Sequence, residues 1–411
     1  MSLERPEWLD DRFLFTCLQN GSVHESFNVK EVNITSVVPP GNNFGGCLWR
    51  VHVKYQENGL ENAQSLSLVV KKPTEIESMK EAYGQFTMVE PTFYKSFMPQ
   101  AYKISPNINF APKTYVSTVS DVIILEDLKA CGYLMADRCR MLDFDHCRLY
   151  VVAAATFHAV SVAIHKIQPL LVESLGVEKT FSNDPGPAVL IKRYNLIGMR
   201  ILADKMELLE EYKRYSNILR NSASGVWNLA VEALKPNASL NALHQGDPWT
   251  PNMMFKYDSL EKVIDIKLLD FQQLRYSSPV NDLVFFLWTS AIHDVRESKL
   301  EDLYQIYCET LNEKLEEFGC TERLTCGQLL ENVKILSPFA LLMCAVFYPV
   351  LTSERLLNPN ALMSEDDSVV RNEFEAYYDK EFCEYILPRV LRQIKAAGIF
   401  DYVIGKIQAQ C

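Results

Sequence analysis

"ALHQGDPWTPNMMFKYDSLEKVIDIKLLDFQQL", residues Ala242 to Leu274, is the stretch whose reading decides the fold. "NMMFKY" and "KVIDIKLLDF" have the composition of strands, and "DSLE" between them has the composition of a turn. Folded as a hairpin centred near residue 260, they bring Asn252 opposite Asp270 at the open end. Asp247 lies five residues before Asn252, on the loop that enters the hairpin. An amide oxygen beside a carboxylate suits a magnesium ion that bridges nucleotide phosphates. A further carboxylate, free of metal, can orient an attacking hydroxyl and accept its proton. D-x-x-x-x-N, a hairpin and then D-F are, in that order, the parts of a protein-kinase active site. Polar residues that only cap strand ends are the alternative reading of this pattern.

The residues upstream supply matching parts. Strands are expected at Val32–Val38, Cys47–Tyr55, Ser65–Lys72, Lys113–Ser117 and Val122–Glu126. Between the first two, Gly41, Asn42, Asn43, Phe44, Gly45 and Gly46 can fold over phosphates, because glycine lets backbone N–H groups approach anions. It is not a Walker loop, since Cys47 and Leu48 stand where Lys and Ser/Thr are required. Lys71 could reach the α- and β-phosphates and pair with Glu90 of a helical stretch that also carries Tyr83, Phe86, Tyr94 and Phe97. Pro91 is expected to disturb helical hydrogen bonding around Glu90. Glu126, Asp127 and Leu128, in "IILEDL", would link two lobes and offer backbone groups to an adenine.

Downstream the texture turns helical from about Asp143, beginning with "FDHCRLYVVAAATFHAVSVAIHKI". His158 and His165, a heptad apart on that apolar helix, read as satisfied core histidines. "DFQQLRYSSPVNDL" passes into the next helix within about ten residues, which leaves no A-P-E-type activation segment. The expectation is an α+β chain of two lobes. Residues 1–126 form a β-rich small lobe, and residues 127–411 a mostly helical large lobe with its catalytic hairpin at 242–274.

Composition bounds the function. A length of 411 residues suits two lobes, and a net charge of −11 argues against a broad nucleic-acid-binding face. "MSLERPEWLDDRFLF" carries acids where a signal peptide needs a basic flank and an apolar run. The longest apolar stretch, Ile335–Leu351, contains Ser337, Pro338 and Pro349 and falls short of the roughly 20 residues a membrane span needs, so it reads as a buried helix. Eleven scattered cysteines without a C-x-x-C pair point to reduced thiols in a cytoplasmic setting, not to a disulfide scaffold or zinc module.

"VVKKP", "VEPTFY", "IILEDLKACGY", "FHAVS", "GDPWTPNMMF", "LLDFQ" and "SPVNDLVFFLWTS" together resemble the ecdysteroid kinase-like family. This family is related to choline kinases and aminoglycoside phosphotransferases. The resemblance implies a two-lobed protein-kinase-like fold and ATP- and Mg²⁺-dependent phosphorylation of a hydroxyl on a small molecule, with an ecdysteroid-like or other lipophilic alcohol as acceptor. It makes Asp247 the catalytic base, Asn252 and Asp270 the magnesium ligands, Lys71 and Glu90 the phosphate-binding pair, and Glu126 to Leu128 the adenine hinge. Gln272 replaces a glycine of protein kinases, and Asp282 matches a residue that braces the catalytic loop. Three positions depart from the pattern: Gln245 where a His is usual, Pro251 where an Asn is common, and Gly46 where a Ser is common. They leave open a weak or inactive kinase-fold protein that binds lipophilic ligands. A choline- or ethanolamine-type acceptor is the other alternative.

Overall fold

Alternation of apolar and polar residues folds the first part of the chain into strands. On one strand Trp49, Val51, Val53 and Tyr55 are buried, while His52 and Lys54 between them are exposed. The computed structural model describes residues 6–20, 27–37, 46–57, 62–73 and 84–410. Five antiparallel strands, β1 (Phe27–Ser36), β2 (Gly46–Glu57), β3 (Gln64–Pro73), β4 (Thr114–Tyr115) and β5 (Ile123–Glu126), form a sheet in the order β1-β2-β3-β5-β4. The first strand begins and ends earlier than the sequence suggested, and the fourth is only two residues long. Helix Asp11–Asn20 covers this sheet with Leu14, Cys17 and Leu18, which join Val51, Val53, Leu68, Val70 and Ile124 in one apolar cluster. Asp10 starts that helix by accepting the Phe13 N–H at 2.6 Å.

A second, larger cluster is built around helix Phe144–Ile167, which starts where Asp143 caps the His146 N–H. By length and composition this helix could cross a membrane, but 78% of its most apolar window is buried inside the protein. His158 is a satisfied core histidine, bonded to Tyr307 (2.8 Å) and Asp282 (3.4 Å). His165 is not. It lies near the helix end, half-buried, pairs with Glu173 at 3.0 Å and stacks on Tyr276.

The hairpin forms from β8 (Met253–Tyr257) and β9 (Val263–Leu268). β6 (Tyr133–Met135), which no sequence signal marked, adds a third strand in the order β6-β8-β9. On either side of the hairpin, β7 (Ala242–His244) pairs with β10 (Arg275–Ser277), so the chain enters and leaves it along one ladder.

Glu90 lies on a helix made of three successive pieces, Val89–Thr92, Phe93–Phe97 and Met98–Ile104. Pro91 does not disturb it, because it falls in the first turn, where no intrahelical N–H bond is needed. The widened middle turn instead precedes Pro99. Tyr83 lies outside the described residues. Of the apolar stretch at 335–351, Ser337–Leu351 is a buried helix, as expected, while the exposed Ile335 ends the preceding helix, Cys326–Ile335; the buried helix too carries a widened turn, Met343–Phe347, just before Pro349.

Candidate active site

The hairpin register is one residue off the expected one. Met253 faces Leu268, so Asn252 falls opposite Leu269, whose N–H donates to the Asn252 carbonyl at 2.9 Å. Asp270 is the next residue, with φ at 61°, a left-handed conformation that Asp tolerates better than most. That turn carries its carboxylate to Lys71, with Oδ1 3.2 Å from Nζ. Lys71 also meets Glu90 at 2.5 Å, and the second Glu90 oxygen accepts the Phe271 N–H at 3.3 Å. Glu90 is only 3% exposed. Burial alone would lower the Lys71 pKa, but Asp270 and Glu90 outweigh it and hold the ammonium charged. Behind the pair, Phe271 stacks on Phe93 with ring centres 4.0 Å apart, and Phe97, Phe110 and Phe157 surround them.

The loop from Asp247 to Asn252 closes on itself. Trp249 N–H donates to the Asp247 carbonyl (3.1 Å) and Asn252 N–H to the Trp249 carbonyl (2.8 Å). The Asn252 amide nitrogen donates to both the carbonyl (3.0 Å) and the carboxylate (3.2 Å) of Asp247. Its amide oxygen is therefore left for another partner. Burial, then the charge on Asp270, push the Asp247 carboxyl up to about 7, while Arg275, the Trp249 indole N–H and the Asn252 amide pull the other way. Gly246 is required here. Its φ is +79°, and a Cβ would sit 2.0 Å from the Gln273 carbonyl oxygen.

Asp282 holds this loop from behind. Its carboxylate accepts the backbone N–H groups of Gln245 (2.8 Å) and Gly246 (2.9 Å) and bonds the rings of His244 (2.8 Å) and His158 (3.4 Å). His244 also meets Ser277 at 3.0 Å. The Gln245 amide nitrogen donates to the Leu269 carbonyl at 2.5 Å, joining the Asp247 loop to the strand end before Asp270. Gln272 is half-buried and stands outside this network.

In the segment expected to serve as the adenine hinge, Glu126 N–H donates to the Lys113 carbonyl (3.0 Å) and Asp127 N–H to the Ser67 carbonyl (3.3 Å). The Asp127 carboxylate is tied to Arg50 and Ser67, each at 2.7 Å. Of the three backbone donors, the Leu128 N–H alone has no partner among the described residues. Gly41 to Gly45 lie outside the described residues, and Gly46 opens β2 opposite Pro73.

Arg50, Arg275 and Glu178 were not singled out from the sequence. Arg275, 4% exposed, lies 3.2 Å from Glu178 and 5.0 Å over the Phe181 ring. Glu178 in turn accepts the Thr180 and Phe181 N–H groups at 2.7 and 2.8 Å. The Arg50–Asp127 and Arg275–Glu178 pairs join residues far apart in the chain, so no local pattern could have marked them.

Among the described residues no group of three or more His, Cys, Asp or Glu side chains could cage a metal. Asp270, 38% exposed, and the free Asn252 amide oxygen do fit the one or two hard oxygen donors a magnesium ion takes when phosphates supply the rest. The whole is an α+β fold, a five-stranded antiparallel sheet followed by a mostly helical part, with the paired Lys71 and Glu90 beside the hairpin end.

Comparison with curated proteins finds no match. Among solved structures the chain is similar to a choline/ethanolamine kinase family protein from Mesorhizobium loti, at 12% identity over 88% of this chain and 96% of that one, with a TM-score of 0.33. It is also similar to the gentamicin-bound APH(2")-IIa, at 15% identity over 78% and 98% with a TM-score of 0.35. The ADP-bound aminoglycoside phosphotransferase APH(2'')-Ib follows at 12% identity over 82% and 100%, with a TM-score of 0.30. At these scores none of the three carries residue roles to this chain. The ecdysteroid kinase-like family matches residues 40–320, more than half of the sequence, and the chain belongs to that family.

Proposed function

We propose that this protein is an ATP- and Mg²⁺-dependent phosphotransferase that phosphorylates a hydroxyl of a small, lipophilic alcohol. One observation carries the reading: Lys71, Glu90 and Asp270 form a single ion network at the end of the hairpin whose entering loop holds Asp247 and Asn252. In this reading Lys71 binds the α- and β-phosphates, Glu90 fixes Lys71, and Asn252 and Asp270 hold the metal. A Mg²⁺ ion held there would neutralise phosphate charge during transfer. Asp247 receives the acceptor's hydroxyl proton as the acceptor oxygen attacks the γ-phosphorus and the bond to the ADP oxygen breaks. The lobes divide at 126/127, with Leu128 N–H as the adenine donor, and the glycine loop over the phosphates runs from Gly41 to Gly46. A cytoplasmic location follows from the scattered thiols.

The bond from Gln245 to Leu269 supports an active loop over a non-catalytic binder, since an amide N–H there ties the base to the metal-binding segment. The lipophilic acceptor rests on the family. Segments Ser337–Leu351 and Val280–Thr289 are nearly all core, with Phe347 and Val350 only half-buried. The deciding experiment is an ATP-consumption screen across steroid, sugar, amine and xenobiotic alcohols, choline included. Asp247→Asn should abolish transfer, a loss of at least about a hundredfold, while leaving MgATP binding largely intact. Absence of both turnover and MgATP binding in the wild type would sink the reading.

A further inference from the structure

Lys267, Arg275 and Arg296 are the most deeply buried cations among the described residues, at 3%, 4% and 5% exposed. Lys267 donates to the Asn109 and Ala111 carbonyls, and Arg296 to Gln393 and Tyr348. Arg275 makes no side-chain hydrogen bond among the described residues. Its Nε stands 3.2 Å from Glu178 Oε2, yet neither atom is hydrogen-bonded, so charge alone joins them. Replacing a buried ion pair by apolar side chains is often neutral or stabilising, so stability does not account for this one. Its place in the fold does. Arg275 faces His244 across the β7–β10 ladder, and its Cγ lies 3.3 Å from the point that a Cβ on Gly246 would take. The Gly246 N–H is already held by Asp282, and Asp247 follows directly. Beyond Gly246 the guanidinium lies over the Phe181 ring, which stacks on Trp227 with ring centres 5.2 Å apart. Glu178 is fixed as well, by the N–H groups of Thr180 and Phe181. The Gly176 carbonyl accepts the Tyr276 N–H at 2.8 Å, which stitches this segment to β10.

We propose that Glu178 and Arg275 are positioning residues of this site: the pair clamps the backbone at Gly246 and so sets where Asp247 and Asn252 stand. The inference rests on the phosphotransferase reading. Away from water an ion pair is little screened, so Glu178 holds the Arg275 stem against Gly246 although no hydrogen bond joins them. Without the pair the stem is free to leave, and Gly246, with no side chain of its own, does not hold its conformation unaided. Asp247 then shifts. Asn252 shifts with it, because its amide nitrogen is bonded to both the carbonyl and the carboxylate of Asp247. Losing the groups that orient a metal ligand typically costs about 10–100-fold in metal affinity.

The test needs no acceptor. It compares the full chain with a double variant carrying Glu178→Gln and Arg275→Met, which removes the pair without stranding a charge. Amide hydrogen exchange across residues 245–252, read by mass spectrometry, should be about tenfold or more faster in the variant. Helix Phe144–Ile167 should exchange as before, and the urea midpoint should stay at or above that of the wild type. Calorimetry of ADP binding with and without Mg²⁺ gives the second readout. The variant should match the wild type for ADP alone and lose about tenfold of the affinity that Mg²⁺ adds. Unchanged exchange at 245–252, or an unchanged gain from Mg²⁺, overturns the proposal. So does faster exchange in every segment with a lower midpoint, which would make the pair merely structural. A wild type that binds no MgADP sinks the phosphotransferase reading, a separate result, and the exchange comparison still decides whether the pair holds the loop. If the double variant fails to fold, Glu178→Gln alone keeps an acceptor for Thr180 and Phe181 and gives the same comparison.

Discussion

Asp282 concentrates more of the site's order than any residue that would touch substrate. It is 2% exposed, and its two oxygens hold His244, His158 and the backbone of Gln245 and Gly246 together. Burial alone would raise its pKa, but the rings of His244 and His158 outweigh burial and hold the carboxyl well below the usual range. The sign follows from that depression. Asp282 contributes stability in full above the unfolded value of about 3.9, and the contribution is lost as pH falls below it. Asp282→Asn puts an NH₂ group against N–H donors, so the urea-unfolding free energy at pH 7 should drop by about 3 kcal/mol. The gap to the wild type should narrow below about pH 4. A constant gap across that range would show that the charge of Asp282 is not what holds the loop. The family resemblance marked Asp282, but not its partners, because His158 and His244 come from elements distant in the chain.

At the scale of elements, the three widened helical turns obey one rule. Phe93–Phe97, Met343–Phe347 and Phe382–Ile386 each end two residues before a proline, at Pro99, Pro349 and Pro388. Proline lacks the N–H for its i−4 bond, and its ring collides with that carbonyl. A wider turn, closed for example by Tyr348 N–H to the Met343 carbonyl, moves the freed carbonyl out of the way. The carbonyl freed by Pro349 is that of Ala345, and the buried Tyr378 hydroxyl donates to it at 2.7 Å. Tyr378→Phe should therefore cost about 1–3 kcal/mol in urea unfolding, although the ring and its packing stay. A loss below about 0.5 kcal/mol would mean the carbonyl finds another donor. The prolines were visible in the sequence, and Pro91 was flagged there. What could not be read was position within the helix, which makes Pro91 harmless and Pro99 structural. The hairpin was legible for the converse reason, since its two strands and turn are local. Its turn is centred near residue 260 as expected, with Asp258 N–H bonded to the Lys262 carbonyl, but the ladder shifts register between Lys256 and Tyr257, an irregularity that composition does not show.

For the molecule as a whole, the two apolar clusters meet at the Lys71–Glu90 side of the site. The helix of Glu90 sends Phe93 and Phe97 into the larger cluster, whereas β3 with Leu68 and Val70 belongs to the smaller one. The Lys71–Glu90 pair therefore bridges the two, whereas Lys267 donates to the Asn109 and Ala111 carbonyls within the larger one. On the far side of the large cluster Arg296, 5% exposed, donates to Gln393, Tyr348 and the ring nitrogen of His293. The same ring nitrogen also lies 3.2 Å from the Gln393 Oε1, so the imidazole sits between a cation and an amide oxygen. Burial first, then the charge of Arg296, lower its pKa to about 4; Arg389 adds to this, while Gln393 and Glu297 oppose it. Unfolded, the same imidazole titrates near 6.5. Between these values the unfolded chain binds the extra proton, so the stability due to His293 is full above pH 6.5 and declines as pH falls toward 4. Urea midpoints at pH 7, 6 and 5 should therefore fall in the wild type. In His293→Gln, whose amide oxygen can accept from Arg296 without titrating, the midpoint should fall less steeply. Parallel curves for the two proteins would place the acid sensitivity elsewhere, with the buried His158 the next group to replace, since burial lowers its pKa too.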